Sequence, residues 1–262
     1  MTAEAPVLLT IEKGIAEICF NRPKVLNALN IDACKALLAC CETLTRTEGL
    51  RVVVLCGEGS SFMAGGDLSQ FRDAPDRPVF THEILAPLNS ALLILDELPV
   101  PVIASVQGAA AGAGASIAFA ADLVVAAEDA KFIMAYARVG TSLDGGSTWV
   151  LPRLVGLRRA MEMALLAEPV GASQALAMGL INRVVPLADL GNETMALAGR
   201  LAAGPTTAYG KIKRLLRDSG TQEYAVQLKA ELEAFAACAA TADFGEGLAA
   251  FFARRAAAFT GR

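Results

Sequence analysis

Two apolar segments of this chain are each followed by a glycine-rich turn and then by a helical pattern. The first is Arg51–Cys56, before the turn at 57–66, and the second is Val100–Val106, before the turn at 108–114. Strands that are apolar on both faces are typical of a parallel sheet covered by helices on both sides. The order strand, loop, helix, strand, loop, helix therefore predicts an α/β fold with crossover connections and a weak internal repeat.

Hydrophobic periodicity predicts the other elements. They are a hairpin (Val7–Glu12 and Ile15–Phe20), a helix from Ile31, a helix over 82–95, a strand over 123–126, and helices over 189–203, 206–217, 222–238 and 243–252. We expect a mobile loop at 73–81. The apolar stripe of Tyr224, Leu228, Leu232 and Phe235 is expected to cover a partner subunit.

Leu98–Ala121 carries no charge and is long enough to cross a bilayer. It begins with two prolines, is rich in Ala and Gly, and lacks flanking basic residues, so we predict a buried strand, a turn and a helix instead. The N-terminus has neither the basic start nor the long apolar core of a signal peptide. We therefore predict a cytoplasmic protein without a membrane partner.

The charged residues and cysteines exclude several classes of function. With 23 Lys and Arg against 27 Asp and Glu, the net charge of −4 argues against a nucleic-acid partner. A single histidine, His82, rules out a two-histidine zinc site, and no metal site is predicted. The six cysteines form no CxxC pair and are expected to be reduced core residues. Carboxylates, hydroxyls and backbone amides remain for any chemistry.

Backbone N–H groups in the two glycine turns can bind an oxyanion. The motif Ser61–Leu68, which includes the end of the first turn, could instead be an ordinary glycine turn in which Asp67 caps the following segment. The second, Gly108–Gly114, lacks the third glycine of GxGxxG because Ile117 stands there, and it could simply allow close packing of a helix on a strand. Together the two turns could supply the two donors of an oxyanion hole.

Asp144 lies in an apolar and glycine-rich segment, 139–149. Burial would raise the pKa of its carboxyl group and make it a general base, whereas a helix cap by Asp144 or Ser147 is the simpler alternative. A basic cluster on a predicted helix (Lys211, Lys213, Arg214 and Arg217) could meet phosphates, although a solvated helix face is favoured. His82 is expected at the surface.

In this order, the motifs resemble the crotonase superfamily, which is the enoyl-CoA hydratase/isomerase family. The resemblance covers nearly the whole chain: it runs through Asn21–Leu29, Phe62–Leu68 and Pro99–Ala126, and it ends at 242–247 and 259–262. It implies an α/β spiral of repeated ββα units (the ClpP/crotonase-like fold) in residues 1–200. Residues 201–262 would form a helical region that assembles a homotrimer or a dimer of trimers and contributes to the CoA site. The substrate would be an acyl-CoA, with CoA as part of the substrate and no resident cofactor.

The resemblance also implies roles for particular residues. The N–H groups of Ala64 and Ala113 would form the oxyanion hole, although many relatives have glycine at the position of Ala113. The substrate-binding residues would be Arg22, Val25, Met63, Gly65, Gly66, Asp67, Leu68, Gly112, Ser116 and Tyr136.

Departures from the family pattern bear on the reaction. Hydratases use two glutamates, and those positions hold Ser116 and Tyr136, which disfavours simple hydration. The context of Asp144, with Trp149 and Leu151–Gly156 after it, resembles the branch of the phenylacetate-pathway ring-epoxide isomerase and Δ3,Δ2-enoyl-CoA isomerases, in which one aspartate moves a proton. We therefore predict an isomerase with Asp144 as general acid and base.

Four alternatives stay open. They are a hydratase, a non-catalytic acyl-CoA-binding protein, an RNA-binding relative and a 4-chlorobenzoyl-CoA dehalogenase. The dehalogenases use an aspartate nucleophile together with a tryptophan and a histidine. Here those two positions hold Tyr136 and a residue near Leu93.

Overall fold

The computed structural model describes residues 5–262, which form two β-sheets covered by helices. The larger sheet has the strand order β1-β2-β3-β4-β6-β9. Its strands are β1 (Val7–Glu12), β2 (Ile15–Phe20), β3 (Val52–Gly57), β4 (Val102–Val106), β6 (Leu123–Ala127) and β9 (Arg183–Val185). Only β1 is antiparallel to its neighbour. The predicted hairpin and the predicted parallel sheet with crossovers are confirmed.

A smaller sheet of three short strands lies beside the second glycine turn. It consists of β5 (Ala109–Ala111), β7 (Lys131–Ile133) and β8 (Val170–Gly171), in the order β5-β7-β8. The chain turns from β4 into β5 at Gly108, where an added Cβ would lie 2.1 Å from the Ser60 carbonyl oxygen. Only glycine fits this close approach, which carries the chain from the large sheet to the small one.

Helices cover both faces of the larger sheet. The helices of residues 5–262 are α1 (Ile31–Thr45), α2 (Leu68–Asp73), α3 (Arg77–Glu97), α4 (Ala113–Ala120), α5 (Ser147–Leu166), α6 (Ala172–Met178), α7 (Leu190–Ala202), α8 (Thr206–Asp218), α9 (Tyr224–Ala239) and α10 (Ala242–Ala253). In β3, Val53 and Leu55 join the main core with α1, α3 and α4, whereas Val52 and Val54 pack with α7. This alternation explains the continuous apolar run.

The uncharged segment 98–121 forms β4, the turn, β5 and α4, and most of it is buried. The prediction of a buried strand, turn and helix is therefore confirmed. By length and composition alone, α3 could cross a membrane, as could α9 and α10 taken as one bent segment. In the fold, however, Ile84, Leu88 and Leu95 of α3 are buried in the main core.

Two sequence-based expectations are wrong. The expected loop at 73–81 is shorter, because α3 already begins at Arg77, with Pro78 in its first turn. The Asp76 carboxylate caps this helix by accepting from the Val79 N–H at 3.0 Å.

The expected solvated basic face of α8 is also wrong in part. Lys213 is buried, and its ammonium group donates to the carbonyl oxygen of Leu95 at 2.9 Å and pairs with Asp122 at 3.0 Å. Arg217 pairs with Asp96 and Asp122. These cations therefore attach α8 to the core and are not available to a phosphate.

Candidate active site

The first glycine turn is held between two neighbouring segments. On one side, Met63 exchanges backbone hydrogen bonds with β5, through its N–H to Ala109 at 3.0 Å and its carbonyl oxygen from Ala111 at 2.9 Å. On the other side, Leu29 bonds to the carbonyl oxygen of Gly65 and to the N–H of Asp67, both at 2.7 Å. The turn is thus fixed along most of its length.

Asn27 is a structural residue of this turn that the sequence analysis did not single out. It is buried, and its side-chain amide donates to the carbonyl oxygens of Ser61 and Glu58 at 2.8 and 2.9 Å. Its φ of 57° lies in the left-handed region, which asparagine tolerates better than most residues. An asparagine in the Asn21–Leu29 segment was the only local signal for this role.

The structure corrects one predicted oxyanion donor. The N–H of Ala64 donates to the carbonyl oxygen of Leu26 at 2.9 Å, so it is already used. Because Leu29 bonds to the residues on either side of Gly66, the N–H of Gly66 points away from Leu29. This N–H has no acceptor among residues 5–262, and it replaces that of Ala64 as the candidate donor.

The second donor lies at the start of α4. Gly112 precedes the helix with a φ of 51°, and Ala113 is its first residue. The N–H groups of a first helical turn have no acceptor within the helix. The N–H of Ala113 therefore has no acceptor within α4. The positive end of the helix dipole strengthens the attraction of this N–H for an anion.

The two turns are in direct contact. A Cβ on Gly65 would lie 3.7 Å from the Ala113 nitrogen, and a Cβ on Gly112 would lie 3.7 Å from the Gly65 Cα. The N–H groups of Gly66 and Ala113 therefore belong to one small region. Two backbone donors in such an arrangement can stabilise the negative charge that develops on a carbonyl oxygen.

Two carboxylates lie close to these turns, and only one of them is available. Asp67 pairs with Arg22 at 3.1 Å and accepts from the Ser69 hydroxyl at 2.6 Å. These hydrogen bonds, that from Ser69 first, lower the pKa of the Asp67 carboxyl group. Asp67 is accordingly a weak base, and its carboxylate makes no capping bond to α2.

Asp144 lies in the loop before α5, and its carboxylate is not a helix cap. The N-cap position of α5 is Gly146, without a side-chain capping bond. The backbone carbonyl oxygen of Asp144 accepts from the Ser147 hydroxyl at 2.7 Å, which fixes the loop. Its carboxylate accepts a hydrogen bond from the Tyr136 hydroxyl and forms no ion pair with any described residue.

Burial sets the proton affinity of Asp144. Desolvation raises the pKa of its carboxyl group, and the hydrogen bond from Tyr136 lowers the same pKa. Burial and then the charge of Asp144 raise the pKa of the Tyr136 hydroxyl. The same two causes raise the pKa of the Cys34 thiol, on α1, to about 12. Asp144 is therefore a base among neutral neighbours.

Ser116 and Tyr136 lie next to each other and to Asp144. Their hydroxyl oxygens are 2.8 Å apart. The ring carbon Cζ of Tyr136 would lie 4.0 Å from a Cβ on Gly112, so Tyr136 connects Asp144 to the second turn. Ser116 is only 1% exposed, so the prediction of a substrate contact does not hold for its side chain.

The other predicted binding residues differ in their exposure. Arg22 donates to Asp67 and to the carbonyl oxygen of Ala28, and Val25 and Leu68 are exposed. Met63 is fully buried, so its side chain cannot contact a substrate as predicted. His82 is exposed on α3. Among the described residues, no group of His, Cys, Asp and Glu could hold a metal ion.

Apolar surfaces border the region on two sides. The edge of the Phe71 ring would lie 3.3 Å from a Cβ on Gly66, and Phe80 packs on Phe71 edge to face at 4.7 Å. Gly145, the residue after Asp144, lines a cavity of about 490 Å³ together with Leu92 and Ile117. An apolar acyl group would fit such surroundings.

Comparisons with known proteins agree with this geometry. The family model described as enoyl-CoA hydratase/isomerase matches residues 10–262. A protein of Rhodobacter capsulatus named "probable enoyl-CoA hydratase" is 41% identical, over 96% of each chain. The 1,2-epoxyphenylacetyl-CoA isomerase of Escherichia coli is 38% identical, over 98% of each chain.

The fold agrees as well. The crystal structure of an enoyl-CoA hydratase from Mycobacterium smegmatis superposes with a TM-score of 0.91 at 32% identity, covering 97% of this chain and 98% of that one. The predicted crotonase fold is thereby confirmed. This chain belongs to the enoyl-CoA hydratase/isomerase family.

Proposed function

We propose that this chain moves a double bond of an enoyl-CoA from Δ3 to Δ2 through a thioester enolate. One observation carries the proposal: Asp144 is a half-buried carboxylate without a cationic partner among residues 5–262, and Tyr136 connects it to the second turn, which offers the N–H of Ala113 and contacts the turn of Gly66. The 38% identity to an enzyme named as an isomerase supports the same reaction class.

The geometry supports the following steps. The thioester oxygen accepts hydrogen bonds from Gly66 and Ala113, and these stabilise the charge of the enolate. Asp144 removes a proton from C2, and the electrons of that bond spread over the thioester oxygen, C2 and C4. Asp144 then returns a proton to C4, which leaves the double bond between C2 and C3. Because the carboxylate is regenerated, one acidic residue suffices.

Hydration is the second candidate, because the relative at 41% identity carries that name. A hydratase must activate water and protonate the α-carbon. The hydroxyls of Ser116 and Tyr136 are poor bases at neutral pH, and burial raises the pKa of Tyr136 further. Asp144 would have to perform both steps alone, which favours isomerisation.

Other parts of the proposal concern assembly and ligands. We place CoA in the substrate, with no resident cofactor, and we propose a homotrimer or a dimer of trimers in the cytoplasm. Large apolar residues on α9 and α10 support assembly, since each is more than 60% exposed in the single chain: Tyr224, Leu232, Phe235, Phe251 and Phe252. Native mass spectrometry measures the oligomeric state.

The deciding experiment supplies 3-enoyl-CoA and 2-enoyl-CoA separately and follows the products by mass and NMR. Isomerisation moves the double bond at constant mass, whereas hydration adds one water. A ring 1,2-epoxyacyl-CoA and a 4-halobenzoyl-CoA extend the panel to ring-epoxide isomerisation and halide release. Acyl-CoA binding without any turnover would contradict the proposal and indicate a binding protein.

A further inference from the structure

Three side chains from three separate elements form a chain of hydroxyl and carboxylate groups. Ser116 lies in α4, Tyr136 in a short 3-10 turn (Ala135–Val139) after β7, and Asp144 in the loop before α5. Ser116 and Tyr136 are 1% and 6% exposed. Solvent therefore contributes little to their hydrogen bonding, and their partners in the protein determine it.

The directions of these hydrogen bonds follow from the chemistry of the groups. An ionised carboxylate has no proton to donate, so the Tyr136 hydroxyl donates to the Oδ1 atom of Asp144. The Tyr136 oxygen can then accept from Ser116, 2.8 Å away. The alternative acceptor for Ser116, the carbonyl oxygen of Gly112, is more distant at 3.2 Å. The chain thus runs from Ser116 through Tyr136 to Asp144.

We propose that Tyr136, held by Ser116, is a positioning residue that occupies one oxygen of Asp144 and leaves the other oxygen, Oδ2, to transfer the proton. The inference rests on the proposed function, because it takes Asp144 as the proton-transfer group. Tyr136 itself is not the base, since its own proton is engaged with Asp144. Positions 116 and 136, which hold two glutamates in hydratases, here hold two hydroxyl groups. These hydroxyl groups orient the single carboxylate of Asp144.

The hydrogen bond from Tyr136 is the main interaction that stabilises the ionised carboxylate of Asp144. From α1, Asp144 is faced by Cys34, whose thiol stays neutral because its pKa is about 12. From the 3-10 turn it is faced by Tyr136, and Ser147 of α5 contacts only its backbone oxygen. Within residues 5–262, no Lys or Arg forms an ion pair with Asp144. Burial opposes ionisation, and the Tyr136 hydrogen bond offsets it.

The test measures Asp144 itself. We would label aspartate carboxyl carbons with ¹³C, assign Asp144 by the signal that Asp144→Asn removes, and titrate the full-length protein by NMR. In Tyr136→Phe, we expect the pKa of Asp144 to be about one unit higher, as for the loss of a hydrogen bond to a charged group. Ser116→Ala should raise this pKa by less, because it weakens the Tyr136 bond without removing it.

Turnover supplies a second measurement. In Tyr136→Phe, the acid limb of the pH profile of kcat/KM should move to higher pH by the same amount, and kcat at its maximum should fall by about tenfold because the carboxylate is less well oriented. The matched control is Tyr209→Phe on α8, a half-buried tyrosine that bonds to none of Ser116, Tyr136 and Asp144. It should change neither the Asp144 pKa nor kcat.

The outcomes separate this inference from the proposed function. An Asp144 pKa that is the same in Tyr136→Phe and the parent protein would overturn the inference. If Tyr136→Phe does not fold, Ser116→Ala decides: a higher Asp144 pKa supports the inference, and an unchanged one overturns it. A parent protein that turns over no enoyl-CoA would contradict the proposed function. The NMR titration would still show whether the Tyr136 hydrogen bond lowers the pKa of Asp144.

Discussion

Gly114 lies so close to Met63 that a Cβ on Gly114 would stand 2.3 Å from the Met63 carbonyl oxygen. Gly114 is the second residue of α4, and Met63 bonds to β5 within the first glycine turn. This approach brings the start of the helix against the turn that carries Gly66. The distance between the two candidate oxyanion donors therefore depends on the absence of a side chain at position 114.

We predict that Gly114→Ala separates the two turns. The clash is with backbone, which cannot move aside cheaply, so overpacking should cost about 1–3 kcal/mol of unfolding free energy. Turnover should fall more than this loss of stability explains, because the two N–H groups no longer meet one oxygen. Urea unfolding and kcat measure the two effects.

Gly191→Ala is the matched control for Gly114→Ala. Gly191 is a helical glycine of α7, and a Cβ there would meet nothing within 4 Å. It should leave kcat unchanged and stabilise the helix slightly. Equal activity of Gly114→Ala and the parent protein would contradict the role of the close approach.

The site shows what could be predicted from the sequence and what could not. The apolar strands, the glycine turns and the availability of Asp144 follow from local patterns of residue size and polarity. The replacement of Ala64 by Gly66 as the candidate donor does not, because the hydrogen bond of the Ala64 N–H to Leu26 depends on a segment almost forty residues earlier. The pairing of Arg217 with Asp96 and Asp122 likewise joins residues about a hundred positions apart. The start of α3 did have a local signal, Asp76 before Pro78.

We predict that Asp144→Asn abolishes turnover and stabilises the fold at neutral pH. The pKa of Asp144 is raised in the folded protein, so the folded state binds this proton more tightly than the unfolded state does. Stability from this group is therefore complete below the unfolded pKa and is lost as the pH rises through the folded pKa. Asparagine keeps an oxygen that can accept from Tyr136 and carries no charge.

Thermal unfolding at several pH values tests this prediction. The Tm of Asp144→Asn should exceed that of the parent protein by a few degrees near pH 7, and the difference should shrink toward pH 4, because about 1 kcal/mol corresponds to 2–4 °C in a chain of this size. The control is Glu168→Gln, an exposed side chain in the loop after α5, which should leave the Tm nearly unchanged. A lower Tm for Asp144→Asn at pH 7 would show that burial does not destabilise the charged carboxylate.

We predict that Phe71→Ala changes the acyl preference. The ring of Phe71 borders the Gly66 donor, so it should contact the acyl carbons nearest the thioester. Loss of this contact should lower kcat/KM by about three- to tenfold for short acyl groups, mainly through KM. Kinetics over a series of chain lengths measures the effect. Phe80→Ala should reproduce part of the effect, because Phe80 supports Phe71 edge to face. Identical chain-length profiles in the parent protein and both variants would show that Phe71 does not contact the acyl group.

We predict that Lys213→Ala destabilises the fold strongly, whereas Lys211→Ala on the same helix does not. The Lys213 ammonium group is bonded to Asp122 and to two main-chain carbonyl oxygens in a site where its side chain is 7% exposed. Its removal leaves the two carbonyl oxygens without this donor, while Asp122 keeps its pair with Arg217, so we expect a loss of about 1–3 kcal/mol. Lys211 is exposed, so its loss should cost less than about 0.5 kcal/mol. Urea unfolding compares the two variants, and equal losses would mean that burial of Lys213 does not attach α8 to the core.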